Sequence, residues 1–107
     1  MRKVKRGEVY LIHLKRSYFN VQSGTRPCLV VQNDVGNYYS PTIIVIPLTT
    51  KLKKLNMPVH IIVGEKQMAL AETILTVSKK QIISYIKTLD EETMKLIDRA
   101  LSISLEI

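Results

Sequence analysis

RPCLVVQNDVGNYYSPTIIVIPLTT, residues 26–50, decides how this chain folds. It opens on RPCLVVQN (26–33), a short run that reads as a strand, and closes on TIIVIPLTT (42–50), β-branched almost throughout. Between them, DVGNYYSP (34–41) is turn chemistry: Asp, Gly, Asn and Ser-Pro each favour a reversal of the chain. The expectation is two strands joined by a turn. A run such as 42–50 is what a strand buried on both faces looks like. Pro47 inside it argues for an edge or a bulge, because proline brings no donor to a ladder. Pro27 fits the first position of its strand for the same reason. Arg26 resists this reading: it sets a permanent charge at the mouth of an apolar strand, directly after the small and polar loop NVQSGT.

Working outward, GEVYLIHL (7–14) precedes this pair as a strand, and MPVHIIV (57–63) follows it as a fourth. ALAETILTV (69–77) is ambiguous, and its β-branched second half favours strand. IISYIKTL (82–89) is the last strand. In DEETMKLIDRALSISL (90–105), Met94, Ile97, Leu101 and Leu105 recur at three- and four-residue steps, one face of a helix. Asp90 suits its N-cap, and Glu91 and Glu92 suit the positive end of its dipole. The prediction is a mainly β domain, a small and strongly curved barrel or sheet closed by a C-terminal helix. The length, 107 residues, fits one domain spanning 1–107.

The net charge is +7, unevenly placed. Residues 1–64 hold ten Lys/Arg against Glu8 and Asp34, whereas residues 85–107 hold three basic and five acidic residues. A basic first two-thirds points to a polyanionic partner, nucleic acid or an acidic protein, although a solubilising surface explains charge alone nearly as well. With Cys28 as its one cysteine the chain forms no internal disulfide and does not read as a stapled secreted scaffold. No apolar run approaches a bilayer span, and the charged N-terminus leads into no signal-type core. A soluble cytoplasmic protein without membrane contact is the expectation.

Catalytic residue types are scarce. No paired Cys/His spacing supports zinc, and SGTRP lacks the pattern of a phosphate loop. Cys28, in an apolar strand, reads as a buried inert thiol. His13 and His60 could imitate a two-histidine ribonuclease if they met in space, although a lone strand histidine is more often structural. Arg26 is the stronger candidate, since its guanidinium stays charged and matches a phosphate in a bidentate way. Thr49 and Thr50, followed by KLKK, would suit a phosphate too, but β-propensity at a strand end accounts for the threonines equally well.

RGEVYLIHL (6–14), QSGTRPCLVVQNDVGNYYSPTIIVIPLTT (22–50), MPVH (57–60) and IDRALSISL (97–105) together resemble the MazF/PemK toxins of type II toxin–antitoxin systems, in order and over nearly the whole chain. The resemblance implies an SH3-like β-barrel of the CcdB/MazF type with a C-terminal α-helix, assembled as a homodimer. It implies a sequence-specific endoribonuclease that cuts single-stranded RNA, chiefly mRNA, without metal or other cofactor. Attack by the ribose 2′-OH would give a 2′,3′-cyclic phosphate and a 5′-OH. The family's catalytic arginine and threonine fall on Arg26 and Thr49. Gln22, Ser23 and Thr25 in the first loop and Lys51, Lys53 and Lys54 in the second are then the walls of an RNA groove, joined by Glu72 and Thr73. A MazE-like antitoxin, acidic and flexible, is the implied protein partner.

The chain departs from the family pattern at Val21, where many relatives carry glutamate, and within LAETILTVS (70–78). There Glu72 is kept, while Thr73, Leu75 and Ser78 replace glutamine, arginine and aspartate. Two alternatives share the barrel: a family member that binds RNA or antitoxin without cutting, and a CcdB-like gyrase inhibitor. The latter uses a tryptophan near its C-terminus, whereas this chain has none and ends ISLEI.

Overall fold

The structure is a computed structural model and describes residues 3–14, 24–50, 58–64 and 66–107. Among the described residues, seven strands form antiparallel ladders: β1 (Glu8–Leu14), β2 (Gly24–Val30), β3 (Thr42–Thr49), β4 (His60–Ile62), β5 (Met68–Leu70), β6 (Leu75–Ser78) and β7 (Ile82–Thr88). Their order is β4-β5-β3-β2-β1-β7, and β6 joins β3 beside β5. A short helix, α1 (Asp34–Tyr39), links β2 to β3, and a long one, α2 (Glu91–Leu105), ends the chain.

Both faces of the sheet are buried at β1 and β3, and residue parity sorts them. On β3, Ile43 and Val45 join Tyr10, Ile12, Leu14, Cys28, Val30 and Val77 in one cluster. The alternate residues Ile46 and Leu48 join Val9, Leu29, Ala69, Ile97 and Ala100 in the other. This double burial is why β1 and β3 read as continuous apolar runs rather than as an alternating pattern. The second cluster is the one that α2 covers. Asp90 caps that helix, accepting from Thr93 N at 2.7 Å. Ile97 and Ala100 are buried, with Met94 and Leu101 packed against them. Leu105, expected on the same stripe, is 54% exposed, because the helix runs past the edge of the cluster.

The ladders do not close into a ring among the described residues. Bulges between Val9 and Tyr10 and between Leu11 and Ile12 interrupt the β1–β7 ladder, and such interruptions bend a strand. The two ends of the path are instead tied by a side chain: Lys87 Nζ donates to Gln67 Oε1 at 3.0 Å and to Val63 O at 3.4 Å. The expected barrel is thus a curled antiparallel sheet with a C-terminal helix, and the fold class stands.

Four local expectations change. Asp34–Tyr39 is helical: Asn33 caps α1 by accepting from Gly36 N at 2.8 Å, and buried Asn37 donates to Gln32 O at 2.8 Å. A Cβ at Gly36 would come within 3.1 Å of the Gln32 side chain, so close approach explains this glycine. Pro47 lies neither at an edge nor in a bulge. β3 pairs with β6 through Val45 and with β5 from Leu48, so Pro47 falls in the changeover, where that side asks no ladder bond of it. Pro27 is the fourth residue of β2, and the ladder to β3 begins only after it, at Cys28. ALAETILTV divides into β5 and β6 about a turn at Ala71 and Glu72, and both pieces pair with β3.

Candidate active site on one face of the sheet

Arg26 lies on β2 opposite Ile12, and Thr49 ends β3 opposite Met68. The β2–β3 register pairs Val30 with Val45, Leu29 with Ile46 and Cys28 with Pro47. Arg26 and Thr49 each lie two residues beyond the last pair of this ladder, Cys28 and Pro47. Both then share the face of Cys28, since side chains two apart on a strand point the same way. Gly24 begins β2 at φ +105, a conformation that an L side chain rarely adopts.

The surroundings of this pair are apolar. Ile12 and Met68, on its two sides, are fully buried, and Arg26 and Thr49 themselves are half-buried. Burial pushes the Cys28 thiol up to about 12, although the Arg26 guanidinium pulls it the other way. Charge–charge interactions in such a low-dielectric setting are stronger than in water.

Continuing across the sheet, His60 is opposite Leu70, two residues from Met68 on β5. His60 therefore belongs to the same face as Thr49. Its ring is nearly buried, and Nε2 lies 2.5 Å from Glu72 Oε2. Glu72 sits in the turn after β5 and thus holds an imidazole at the margin of the face. Thr73, in the same connection, donates its N–H to Leu70 O at 3.1 Å. No spacing in the sequence singles out His60; the signal lies in the topology that folds Glu72 back onto it.

His13 is exposed on β1 opposite Thr25, on the opposite face from Ile12 and Arg26. The two histidines do not meet, so a paired-histidine site is not formed. Thr25 is exposed and by alternation points away from Arg26. Leu75 packs partly buried against the cluster that contains Cys28. Ser78 caps the 3-10 turn Lys79–Gln81, accepting from Lys80 N at 3.1 Å while Ser78 N donates to Gln81 Oε1 at 2.8 Å. Val21, Gln22, Ser23, Lys51, Lys53 and Lys54 lie outside the described residues. Among the described residues, no three His, Cys, Asp or Glu side chains converge to hold a metal ion.

An arginine and a threonine each two residues beyond the Cys28–Pro47 pair, on a curled sheet with a C-terminal helix, coincide with a family pattern. Residues 5–105 match the sequence model of the PemK-like, MazF-like toxins of type II toxin–antitoxin systems. The chain belongs to this family. Among curated proteins, this PemK/MazF chain is 40% identical over 111 residues to the endoribonuclease EndoA of Bacillus subtilis (strain 168), covering 97% of the chain and 96% of EndoA. Its fold matches that of MazF from Deinococcus radiodurans with a TM-score of 0.84, at 15% identity and full coverage of both chains. It also matches an endoribonuclease from a mycobacterial species, solved in complex with its cognate antitoxin, with a TM-score of 0.82 at 24% identity. That match covers 97% of this chain and 96% of the other.

Proposed function

We propose that this chain is the toxin of a type II toxin–antitoxin system and an endoribonuclease that cuts single-stranded RNA at particular sequences, chiefly mRNA, with Arg26 and Thr49 as its reacting pair. Membership of the PemK/MazF family over residues 5–105, with 40% identity to an endoribonuclease, carries the activity. The shared register and face of Arg26 and Thr49 support their roles.

In this reading the ribose 2′-OH attacks the adjacent phosphorus and the 5′-oxygen of the next nucleotide leaves. The products are a 2′,3′-cyclic phosphate and a 5′-OH. Negative charge grows on the non-bridging oxygens as the phosphorane forms. Arg26 meets that charge with a fixed fork of N–H donors, and its apolar flanks strengthen the interaction. Thr49 holds the phosphate by a hydrogen bond, so that attacking and leaving oxygens stay in line. His60 and Glu72, in contact with each other, brace the margin of that face. Gln22, Ser23, Lys51, Lys53 and Lys54 are the further RNA-binding residues in this reading.

The partners follow from the same reading. The mycobacterial relative is described in complex with its cognate antitoxin, and a MazE-like antitoxin with an acidic segment suits the basic first two-thirds of this chain. A second copy makes the homodimer, and exposed Leu105 and Ile107 at the end of α2 are apolar surface that a partner can cover. Residues 1–107 act as one toxin domain in the cytoplasm, where the RNA is. No helix among the described residues is long and apolar enough to cross a membrane.

Product chemistry tests the reaction. RNA digested by the purified chain should yield 5′ ends that a polynucleotide kinase labels without prior phosphatase treatment. Fragments with 5′-phosphate ends would contradict attack by the 2′-OH.

A further inference from the structure

A basic hollow lies at the other end of the β2–β3 pair from Arg26 and Thr49. The N-terminal segment, α1 and the 3-10 turn enclose about 180 Å³ between Lys3, Lys5, Asp34, Asn37, Tyr38 and Lys79. Its one carboxylate is already engaged: Asp34 Oδ1 accepts from Arg6 N at 2.7 Å and from Asn37 Nδ2 at 3.1 Å. The Arg6 N–H in particular holds the Asp34 carboxyl below its usual range. Among the described residues, no carboxylate forms an ion pair with Lys3, Lys5 or Lys79. The hollow therefore presents net positive charge.

Aromatic surface adjoins it. Lys3 Nζ lies 5.3 Å from the centre of the Tyr38 ring, and Tyr38 packs edge-to-face on Tyr39 with ring centres 4.7 Å apart. These rings are 60% and 79% exposed although no core requires them there. An acidic peptide would meet the lysines and leave the rings idle. A ligand that alternates phosphates with flat bases uses both, as single-stranded nucleic acid does on other basic, aromatic surfaces.

We infer that this hollow is a second RNA contact, which seats a phosphate among Lys3, Lys5 and Lys79 and a neighbouring base on Tyr38 and Tyr39. The inference rests on the ribonuclease reading for the identity of the RNA, whose other stretch lies at Arg26 and Thr49. Val4 also lines the hollow and packs into the cluster that contains Cys28, so the hollow belongs to the Arg26 side of the sheet. Along β3 from Thr42 to Thr49 the two contacts are about 23 Å apart, at about 3.3 Å per residue. A short oligonucleotide fills one contact, and a long one spans both. The hollow thus makes affinity, and cleavage at low substrate concentration, depend on RNA length.

The test is fluorescence anisotropy with a long and a short single-stranded 2′-O-methyl oligoribonucleotide of mixed sequence, which 2′-OH attack cannot cut. The full chain is compared with Tyr38→Ala and with the double variant Lys3→Gln/Lys79→Gln, all checked for folding by circular dichroism. Each variant should weaken the long oligomer about tenfold, the order expected for one lost base stack or a few lost phosphate contacts, and leave the short one unchanged. The double variant should also flatten the slope of log affinity against log salt by about 0.7, the value for one phosphate on a single strand. Equal binding of the long oligomer by all three proteins overturns the contact. So does a double variant that loses only poly-glutamate binding, because the hollow would then serve an acidic protein. Unmodified RNA in parallel separates the two readings. Cleavage with unchanged binding sinks the contact alone, and weakened binding without cleavage by the wild type sinks the ribonuclease reading alone.

Discussion

Cys28 stands directly opposite Pro47, and that pairing sets the geometry of the site. Arg26 and Thr49 each lie two residues beyond it, on the face that Cys28 shares. In the proposed reaction Thr49 acts there through its hydroxyl. Thr49→Ala should lower kcat for RNA cleavage about 10- to 100-fold, the range for a hydrogen bond to a charged group, with little change in melting temperature. Thr49→Ser should recover most of the loss. A serine variant as slow as the alanine variant would move the role from the hydroxyl to the methyl group.

Cys28 itself takes no part in the chemistry. With its thiol pushed up to about 12 and fully buried, it is protonated at any ordinary pH. Alkylation by iodoacetamide at mildly alkaline pH should be slow in the folded protein and fast in denaturant. Equal rates in the two states would show that the strand opens readily or that the thiol is more exposed than described.

The contact between His60 and Glu72 joins β4 to the turn after β5. Removing the carboxylate strips a partner from a nearly buried ring. Glu72→Ala should therefore destabilise the fold by about 1–3 kcal/mol in urea denaturation, while Glu72→Gln, which keeps an acceptor, should lose less. Cleavage by the two variants should follow the same order. Identical stabilities would mean that the contact contributes nothing to holding the loop.

Asp90 gives the fold an acid sensitivity of known sign. The Thr93 N–H holds its carboxyl below the ordinary value in the folded state. The unfolded chain therefore binds the proton more readily, and the cap's contribution is present above about pH 4, the ordinary carboxyl range, and lost as pH falls through the depressed value. Asp90→Asn keeps a capping acceptor that does not titrate. Its melting temperature should fall less steeply on acidification than that of the wild type, and parallel acid limbs would contradict this. Asp34, depressed chiefly by the Arg6 N–H, adds a wild-type slope of the same sign that both proteins share.

The strands and the long helix were legible because double burial writes itself as apolar runs and α2 as a three–four repeat capped by Asp90. What escaped was tertiary. Asn33, Gly36 and Asn37 are turn formers by local preference, yet they close a helix because Asn37 finds Gln32 O and Gly36 lets the chain pass the Gln32 side chain. Pro47 looked like an edge residue because a sequence does not show that β3 changes neighbours at that point. Arg26 was legible as a charge out of place. Its sharing a face with Thr49 depended on strand pairings that only the folded sheet displays, and so did the place of His60 on that face and its contact with Glu72, twelve residues away.

The central claim is that Arg26 drives metal-independent RNA cleavage. The direct measurement is digestion of a long mixed-sequence RNA in EDTA by wild type and by Arg26→Ala, with cut sites mapped by primer extension. The wild type should cut at a recurring short motif, and Arg26→Ala should be slower by about 10²–10³-fold, as when one transition-state donor is lost, while its circular dichroism spectrum is unchanged. A folded Arg26→Ala protein that cuts at the wild-type rate, or a wild type that leaves the RNA intact in EDTA, would contradict the account.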